Sequence, residues 1–234
     1  MAKNIHSLIE DQVNFWQKTK SQHGKPETKA SYWPVISISR EYGTQGAALA
    51  HEIGARTGFA VWDKELLQAI AEESGGDEAI LRSLDEHRRN GIDDAVRAAV
   101  LGGRHTNTQY QMALMRVIHT LGAHGKCVIV GRGANYVLDP KTVLRVRVVC
   151  PEEERVRIYA RQHKLDLKKA RKEVQGKESD RSHFVFSVFK KDLSRPSDYD
   201  LVVNTGTFTL SQAADLILLA YEKKIGRAVL LERK

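Results

Sequence analysis

The sequence predicts an α/β protein in which helices cover both faces of a parallel sheet. Short apolar segments, typical of buried strands, alternate along the chain with longer segments of helical periodicity. The first apolar segment opens residues 35–50 (VISISREYGTQGAALA) and runs into two glycines and then into small residues with good helix propensity. Strands separated by helices favour parallel pairing, and such sheets bind ligands at the carboxyl ends of their strands.

Each element of this pattern has a local reason in the sequence. The predicted strands are short and apolar and cover residues 35–39, 59–62, 126–130, 143–149 and 199–203. The predicted helices have amphipathic or strongly charged sequences and cover residues 4–20, 46–57, 63–73, 109–122, 151 to about 191, and 210–223. Gly58 is placed to end the second of these helices, and Pro151 with three following glutamates is placed to open the long charged one. Residues 21–31 form a polar linker, and the polar residues 74–108 form a helical excursion from the sheet.

Composition restricts the class of protein. A chain of 234 residues fits one large α/β domain, or one domain with an added lobe. No apolar run has the length of a membrane helix, and the N-terminus has no secretory h-region, so a cytoplasmic protein is expected. Cys127 and Cys150 lie in strand-like runs and are expected to be reduced core thiols. The net charge of +8 favours a polyanionic ligand, either nucleotide phosphates or nucleic acid.

The turn after the first strand has the features of a phosphate-binding loop. A strand, a glycine turn and a helix start together aim backbone N–H groups at a phosphate, and Gly43 and Gly46 would let the phosphate approach closely. The alternative is an ordinary strand-to-helix turn. The lysine and hydroxyl residue that follow in GxxxxGK[ST] are missing, and Ala47 and Ala48 stand there instead.

Four ordered blocks resemble one family. They are ISISREYGTQGAALA, VWDKELL, VIVGRGANYVL, and the Glu178/Arg181 region followed by YDLVVNTGTFTL. Together they make residues 34–221 similar to the cytidylate kinase-like family, relatives of the nucleoside-monophosphate kinases with a P-loop-type core. Residues 1–33 lie outside this resemblance.

The resemblance implies both a fold and a reaction. The implied fold is a three-layer α/β/α domain with a five-stranded parallel sheet, an acceptor-binding excursion at about 74–108 and a mobile lid at about 161–177. The implied reaction is phosphoryl transfer from ATP, with Mg²⁺, to CMP or a similar acceptor. In such chemistry the protein mainly positions the reactants and stabilises charge on the transferring group.

The donor nucleotide is assigned to the first block. The expected contacts are the loop residues and the two charged residues before them: Arg40, Glu41, Gly43, Thr44, Gln45 and Gly46. Arg40 and Glu41 could instead form an ion pair that props the loop, or Arg40 could replace the missing lysine.

The acceptor is assigned to residues that follow other strands. The resemblance places Arg132, between two glycines, against the acceptor phosphate, and a structural ion pair is the alternative. Asp63 and Lys64 match the second block, where Asp63 could cap its helix, orient the acceptor or hold a metal-bound water. Asn204 could contact the base or close a turn. No His, Cys and Asp cluster has metal-ligand spacing, so no protein metal ligand is assigned.

Arginines are the expected catalytic residues because guanidinium groups grip phosphate in a bidentate manner. Arg132 is one of them, and Arg157 and Arg161 are an i,i+4 pair in the implied lid and its approach helix. Arg181 follows an acid by three residues; that acid is Glu178 rather than the family's more usual aspartate, and Phe184 replaces a tyrosine.

Three hypotheses remain open from the sequence. The first is a cytidylate kinase-like phosphotransferase. The second is a nucleotide sensor or scaffold that kept the fold and lost catalytic activity, because the lysine of the phosphate-binding loop is absent. The third, nucleic-acid binding, is disfavoured because no aromatic stacking platform is present. The helix predicted over residues 4–20 could pack on the body of the protein or join two copies in a homo-oligomer.

Overall fold

The computed structural model describes residues 35–72, 75–84, 86–101 and 108–226, together with residues 7, 9–11, 13, 14 and 16. The strands in this part of the chain are β1 (Val35–Arg40), β2 (Ala60–Trp62), β3 (Cys127–Val130), β4 (Val143–Val149) and β5 (Leu201–Asn204). They form one five-stranded sheet in the order β2-β3-β1-β4-β5, and every pairing is parallel. The predicted α/β class, with a five-stranded parallel sheet flanked by helices, is confirmed.

The helices follow the strands in the predicted alternation. They are α1 (Gly46–Thr57), α2 (Lys64–Glu72), α3 (Gly76–Leu81), α4 (Glu86–Leu101), α5 (Thr108–His124), α6 (Ala134–Val137), α7 (Glu152–His163), α8 (Leu167–Phe189) and α9 (Leu210–Ile225). A 3₁₀ turn, Pro196–Asp198, precedes β5. Among the described residues, no helix combines the length and apolar character needed to cross a bilayer.

The chain divides into two compact units. Among the described residues, those within Pro34–Asp63 and Lys126–Lys234 form the sheet unit, and those within Met1–Trp33 and Lys64–Gly125 form the helical unit. In the helical unit α5 contacts α2, α3 and α4, and Arg116 of α5 pairs with Asp77 at 3.1 Å and with Asp93 at 2.8 Å. The predicted N-terminal helix and linker lie mostly outside the described residues, although Trp16 stacks on His124 with ring centroids 3.7 Å apart.

Strand β1 lies in the middle of the sheet and carries the glycine loop at its carboxyl end. Its residues 35–39 are buried between β3 and β4, where Ile36 pairs with Val128 on one side and Leu144 on the other. Helix α1 follows the loop and ends at Gly58, whose φ of +71° allows its N–H to reach the carbonyl of Gly54 at 2.8 Å. The central strand therefore delivers the loop to the edge where parallel sheets bind ligands.

The long charged stretch after β4 is divided into two helices rather than continuing as one. Lys164 adopts a φ of +53° at the end of α7, and Asp166 caps α8 by accepting the N–H of Lys169. The two helices pack through a small apolar cluster formed by Val156, Tyr159, Ala160, Ala170 and Val174. Salt bridges at 2.7 Å and 3.1 Å join Arg171 of α8 to Glu153 and Glu152 at the start of α7. We call this pair the α7–α8 hairpin, and the implied lid at about 161–177 lies within it.

The two cysteines are buried free thiols, as the sequence predicted. Burial raises the pKa of both thiols, so neither is a thiolate at neutral pH.

An ion pair at the start of β5 gives a testable pH dependence. Burial raises the pKa of Asp200, but hydrogen bonds from Arg145 and Lys224 outweigh burial and lower the pKa to about 2. Because the unfolded value is about 3.9, the pair stabilises the fold above about pH 4 and loses that contribution as pH falls toward 2. Asp200→Asn is expected to lower the free energy of unfolding by about 1 kcal/mol at neutral pH, after allowance for solvent screening.

Urea unfolding at several pH values would measure this effect. The gap between wild type and Asp200→Asn should narrow as pH falls below about 4, while the exposed control Asp180→Asn should follow the wild type throughout. A gap that is independent of pH would contradict the assignment.

Candidate active site

The loop of residues 40–46 has a backbone that glycine makes possible. Gly43 has a φ of +89°, and a Cβ there would lie 3.0 Å from the Cβ of Arg155 and 3.1 Å from its carbonyl oxygen. Gln45 has a φ of +58° and precedes α1. A Cβ at Gly46 would lie 2.9 Å from Cβ and Cγ of Arg40. The loop thus turns tightly into a helix N-terminus, the geometry that presents N–H groups to an anion.

Thr44 and Glu41 brace this loop from inside. The hydroxyl of buried Thr44 donates to the carbonyl of Glu41 at 2.9 Å, and the Thr44 carbonyl accepts from the Thr205 hydroxyl at 3.2 Å. A Glu41 carboxylate oxygen accepts the N–H of Cys150 at 3.0 Å and lies 3.5 Å from Nε of Arg155. Two residues that the sequence assigned to the donor nucleotide therefore hold the loop in shape with their side chains.

Two buried arginines, which we call the floor of the loop, lie where β1 ends: Arg155 contacts the loop directly, and Arg147 contacts the preceding residue Ser39. Arg155 is 8% exposed and donates to the carbonyls of Cys150 at 2.9 Å and Tyr42 at 3.1 Å. Arg147 of β4 is 6% exposed and donates to the hydroxyl of Ser39 at 2.9 Å. The sequence analysis selected neither as a site residue, since it preferred Arg157 and Arg161 over Arg155 on the approach helix of the implied lid. The signal for Arg147 was a strand in which only Arg145 and Arg147 interrupt apolar residues, because buried charges require partners.

A second glycine turn follows β3. Gly131, Arg132 and Gly133 have φ values of +82°, +51° and +72°, so the turn forces a non-glycine residue into the left-handed region. The N–H of Gly131 donates to the carbonyl of Ile38 at 3.0 Å, which ties the turn to β1. The guanidinium of Arg132 lies 4.8 Å from the centre of the Phe184 ring, a cation–π distance.

The structure brings Arg40, Arg132 and Arg181 together at this edge of the sheet. The stem of Arg40 packs on Gly46, and its guanidinium contacts Gly131, where a Cβ would collide with it. Arg181 of α8 donates to the carbonyl of Arg40 at 3.3 Å, and its guanidinium lies 4.8 Å from the centre of the Tyr42 ring. Positive charge therefore collects between the two glycine turns although the loop has no lysine.

Arg157 and Arg161 are not part of this group. Both are exposed, and Arg157 pairs with Glu154 at 3.2 Å on its own helix. At 100° per residue they point away from the side of α7 on which Arg155 faces the loop. Lys164 lies near them on a separate surface cleft that Leu165 and Leu167 also line.

The remaining predicted residues lie at the two outer strands. Asp63 follows the edge strand β2, and Lys64 begins α2 in the helical unit. Asn204 ends the other edge strand, and its side-chain oxygen accepts the N–H of Gly206 at 2.9 Å. This hydrogen bond closes the turn, and contact between Asn204 and the base stays a prediction.

The site suits a phosphate group better than a metal held by the protein. Phosphates need hydrogen-bond donors and positive charge. The site offers backbone N–H groups at the glycine turns and at the start of α1, and the guanidinium groups of three arginines. No three His, Cys, Asp or Glu side chains come together as ligands within the described part of the chain. Mg²⁺ usually retains several waters and binds through substrate phosphates and one or two carboxylates, so it would enter here mainly on the nucleotide.

Comparison with known proteins agrees with this geometry. A solved structure of an uncharacterized protein from Eubacterium ventriosum ATCC 27560 is similar, with a TM-score of 0.66 and 17% identity, over 81% of this chain and 98% of that chain. At this identity the likeness shows the fold alone. No curated protein matches the sequence. The family model for the cytidylate kinase-like family matches residues 35–207, which contain all five strands and both glycine turns, and the chain belongs to that family.

Proposed function

We propose that the protein is a nucleotide-binding phosphotransferase that moves the terminal phosphoryl group of ATP to CMP or a similar small acceptor. The observation that carries this proposal is the place of Arg40, whose stem rests on Gly46 and whose guanidinium reaches Gly131. A permanent positive charge there lies between the loop assigned to the donor and the turn assigned to the acceptor. Family membership supports the same reaction class.

In this proposal each of the three arginines has a different role. Arg40 supplies the charge on the donor phosphates that a lysine supplies in other loops of this type, and Arg132 binds the acceptor phosphate. Arg181 neutralises charge on the group in transit, which passes from the β–γ bridging oxygen to an acceptor phosphate oxygen while ADP leaves. Bound Mg²⁺ would screen the donor phosphates. Glu41 and Thr44 act through the loop that they brace.

A non-catalytic nucleotide binder is the second candidate. The first turn of α1 presents exposed Ala47 and Ala48 where a lysine and a hydroxyl would otherwise contact the phosphates and the metal ion, and the Thr44 hydroxyl is directed to Glu41. In that case the arginines bind a nucleotide without turnover. Under either candidate we propose a cytoplasmic protein with nucleotide partners rather than nucleic acid, and with residues 4–20 available for self-association.

The test is calorimetric titration with ATP, CMP, dCMP and UMP, with and without Mg²⁺, followed by a coupled assay of ADP release. Arg40→Met keeps an apolar stem on Gly46 and removes the charge, so it is expected to weaken ATP binding about tenfold. The control Arg195→Ala removes an exposed charge elsewhere and should bind as the wild type does. Binding without ADP release would establish the second candidate, and no binding would reject both.

A further inference from the structure

Helix α8 contacts the glycine loop through a carboxylate. An oxygen of Glu178 accepts the N–H of Tyr42 at 2.5 Å, a short hydrogen bond between a charged acceptor and a loop amide. The same carboxylate lies 3.7 Å from the guanidinium of Arg147 and 4.0 Å from that of Arg155. Those two arginines form the floor of the loop, so Glu178 joins the buried charges beneath it to its backbone.

The same helix also reaches the second glycine turn. Three residues beyond Glu178, Arg181 contacts the loop at Arg40 and Tyr42. Further along, Phe184 lies over the Arg132 guanidinium, and the Phe189 ring occupies the space that a Cβ of Gly133 would need. One side of α8 therefore follows the sheet edge from the loop to the turn, over about 16 Å of helix.

We propose that Glu178 is a positioning residue, which fixes the loop from α8 and thereby sets the separation of the donor and acceptor phosphates. The inference rests on the function proposed above. If the loop amides bind the donor and Arg132 binds the acceptor, α8 is an element that contacts both sites through its side chains. Phosphoryl transfer depends on alignment of the two groups, and a displacement of about 1 Å can lower the rate about a hundredfold.

The chemistry of Glu178 explains why a carboxylate is needed there. Its negative charge strengthens the bond from the Tyr42 amide and balances Arg147 and Arg155, which the protein buries. A glutamine could accept the same N–H, but as a neutral acceptor it would form a bond about half as strong. Alanine would leave the amide without this acceptor and would loosen the attachment of the loop to α8, which Arg181 would still contact.

Two readouts test the proposal on the full-length protein. Hydrogen–deuterium exchange of peptides covering residues 40–46, without nucleotide, should be about tenfold faster in Glu178→Ala and less accelerated in Glu178→Gln. In the ADP-release assay, Glu178→Ala should lower kcat about tenfold and change KM for ATP less than about twofold, since a positioning defect acts on the transferring geometry. Asp180→Ala is the matched control, because Asp180 is an exposed acid two residues away on the same helix.

The outcomes separate this proposal from the proposed function. Unchanged exchange in the loop would overturn the role of Glu178, as would an increase in KM for ATP with no change in kcat. If loop exchange is faster in Glu178→Ala but the wild type transfers no phosphate, the role of Glu178 in holding the loop is supported and the proposed phosphotransferase activity is rejected. If Glu178→Ala does not fold, hydrogen–deuterium exchange of the loop and ADP-release kinetics of Glu178→Gln test the role of Glu178 instead.

Discussion

Replacing Arg132 with alanine is expected to lower kcat/KM for phosphoryl transfer about a thousandfold, the scale at which loss of a preorganised charge acts in a closed site. The backbone around Arg132 supports this expectation, because the protein holds a non-glycine residue at a φ of +51° between two glycines. The Phe184 ring then fixes the guanidinium. Strain of this kind persists where the surrounding structure or a function requires it. A fall of less than about tenfold would exclude Arg132 from the transfer step.

Two further substitutions at this position separate charge from backbone. Arg132→Gly relieves about 1 kcal/mol of left-handed strain and loses a cation–π contact of about 0.5–1 kcal/mol, so its melting temperature should stay close to that of the wild type. Its transfer rate should nevertheless fall as far as that of Arg132→Ala. Arg132→Lys keeps a point charge without the planar fork and should recover only part of the rate.

The fold was predictable because each element has a local cause. Gly58 ends α1 in the left-handed conformation that glycine favours, and the strand of residues 143–149 was predicted at its exact bounds although it contains two arginines. The break between α7 and α8 was missed because it depends on Lys164 in a left-handed conformation, which lysine adopts without a sequence signal. The last strand begins two residues later than predicted, since the backbone N–H of Tyr199 donates to the Pro196 carbonyl of the preceding 3₁₀ turn at 3.0 Å.

The site was predictable in position but only partly in detail. Arg40 and Arg132 were selected because each lies at the end of a strand and next to a glycine-containing turn. The structure brings the guanidinium of Arg40 against Gly131, while the binding roles of both residues stay predictions. The two buried arginines were not selected, since Arg147 bonds to Ser39 and Arg155 to Tyr42 across sequence separations of 108 and 113, which no local pattern indicates. The i,i+4 spacing of Arg157 and Arg161 correctly placed them on one side of a helix, but spacing alone gives no direction relative to the sheet.

Gly43→Ala is expected to destabilise the fold by about 3 kcal/mol and to abolish nucleotide binding in the molecules that remain folded. Two costs add. A φ of +89° is unfavourable for any L side chain, by about 1–2 kcal/mol. The new Cβ would also lie 3.0 Å from the Cβ of Arg155 and 3.1 Å from its carbonyl oxygen, and neither is the free end of a flexible side chain. Urea unfolding and ATP titration would measure the two effects.

Gly226→Ala separates these two costs. Gly226 ends α9 with a φ of +73°, and a Cβ there would meet no atom within 4 Å. It therefore carries the conformational cost alone, about 1 kcal/mol, and should leave nucleotide affinity unchanged. The difference between the two variants is the cost of moving the loop away from Arg155. If Gly43→Ala is no more destabilising than Gly226→Ala, the loop can move away from Arg155 at little cost in free energy. The loop conformation would then not depend on the buried charges beneath it, which are those of Arg147, Arg155, Glu41 and Glu178.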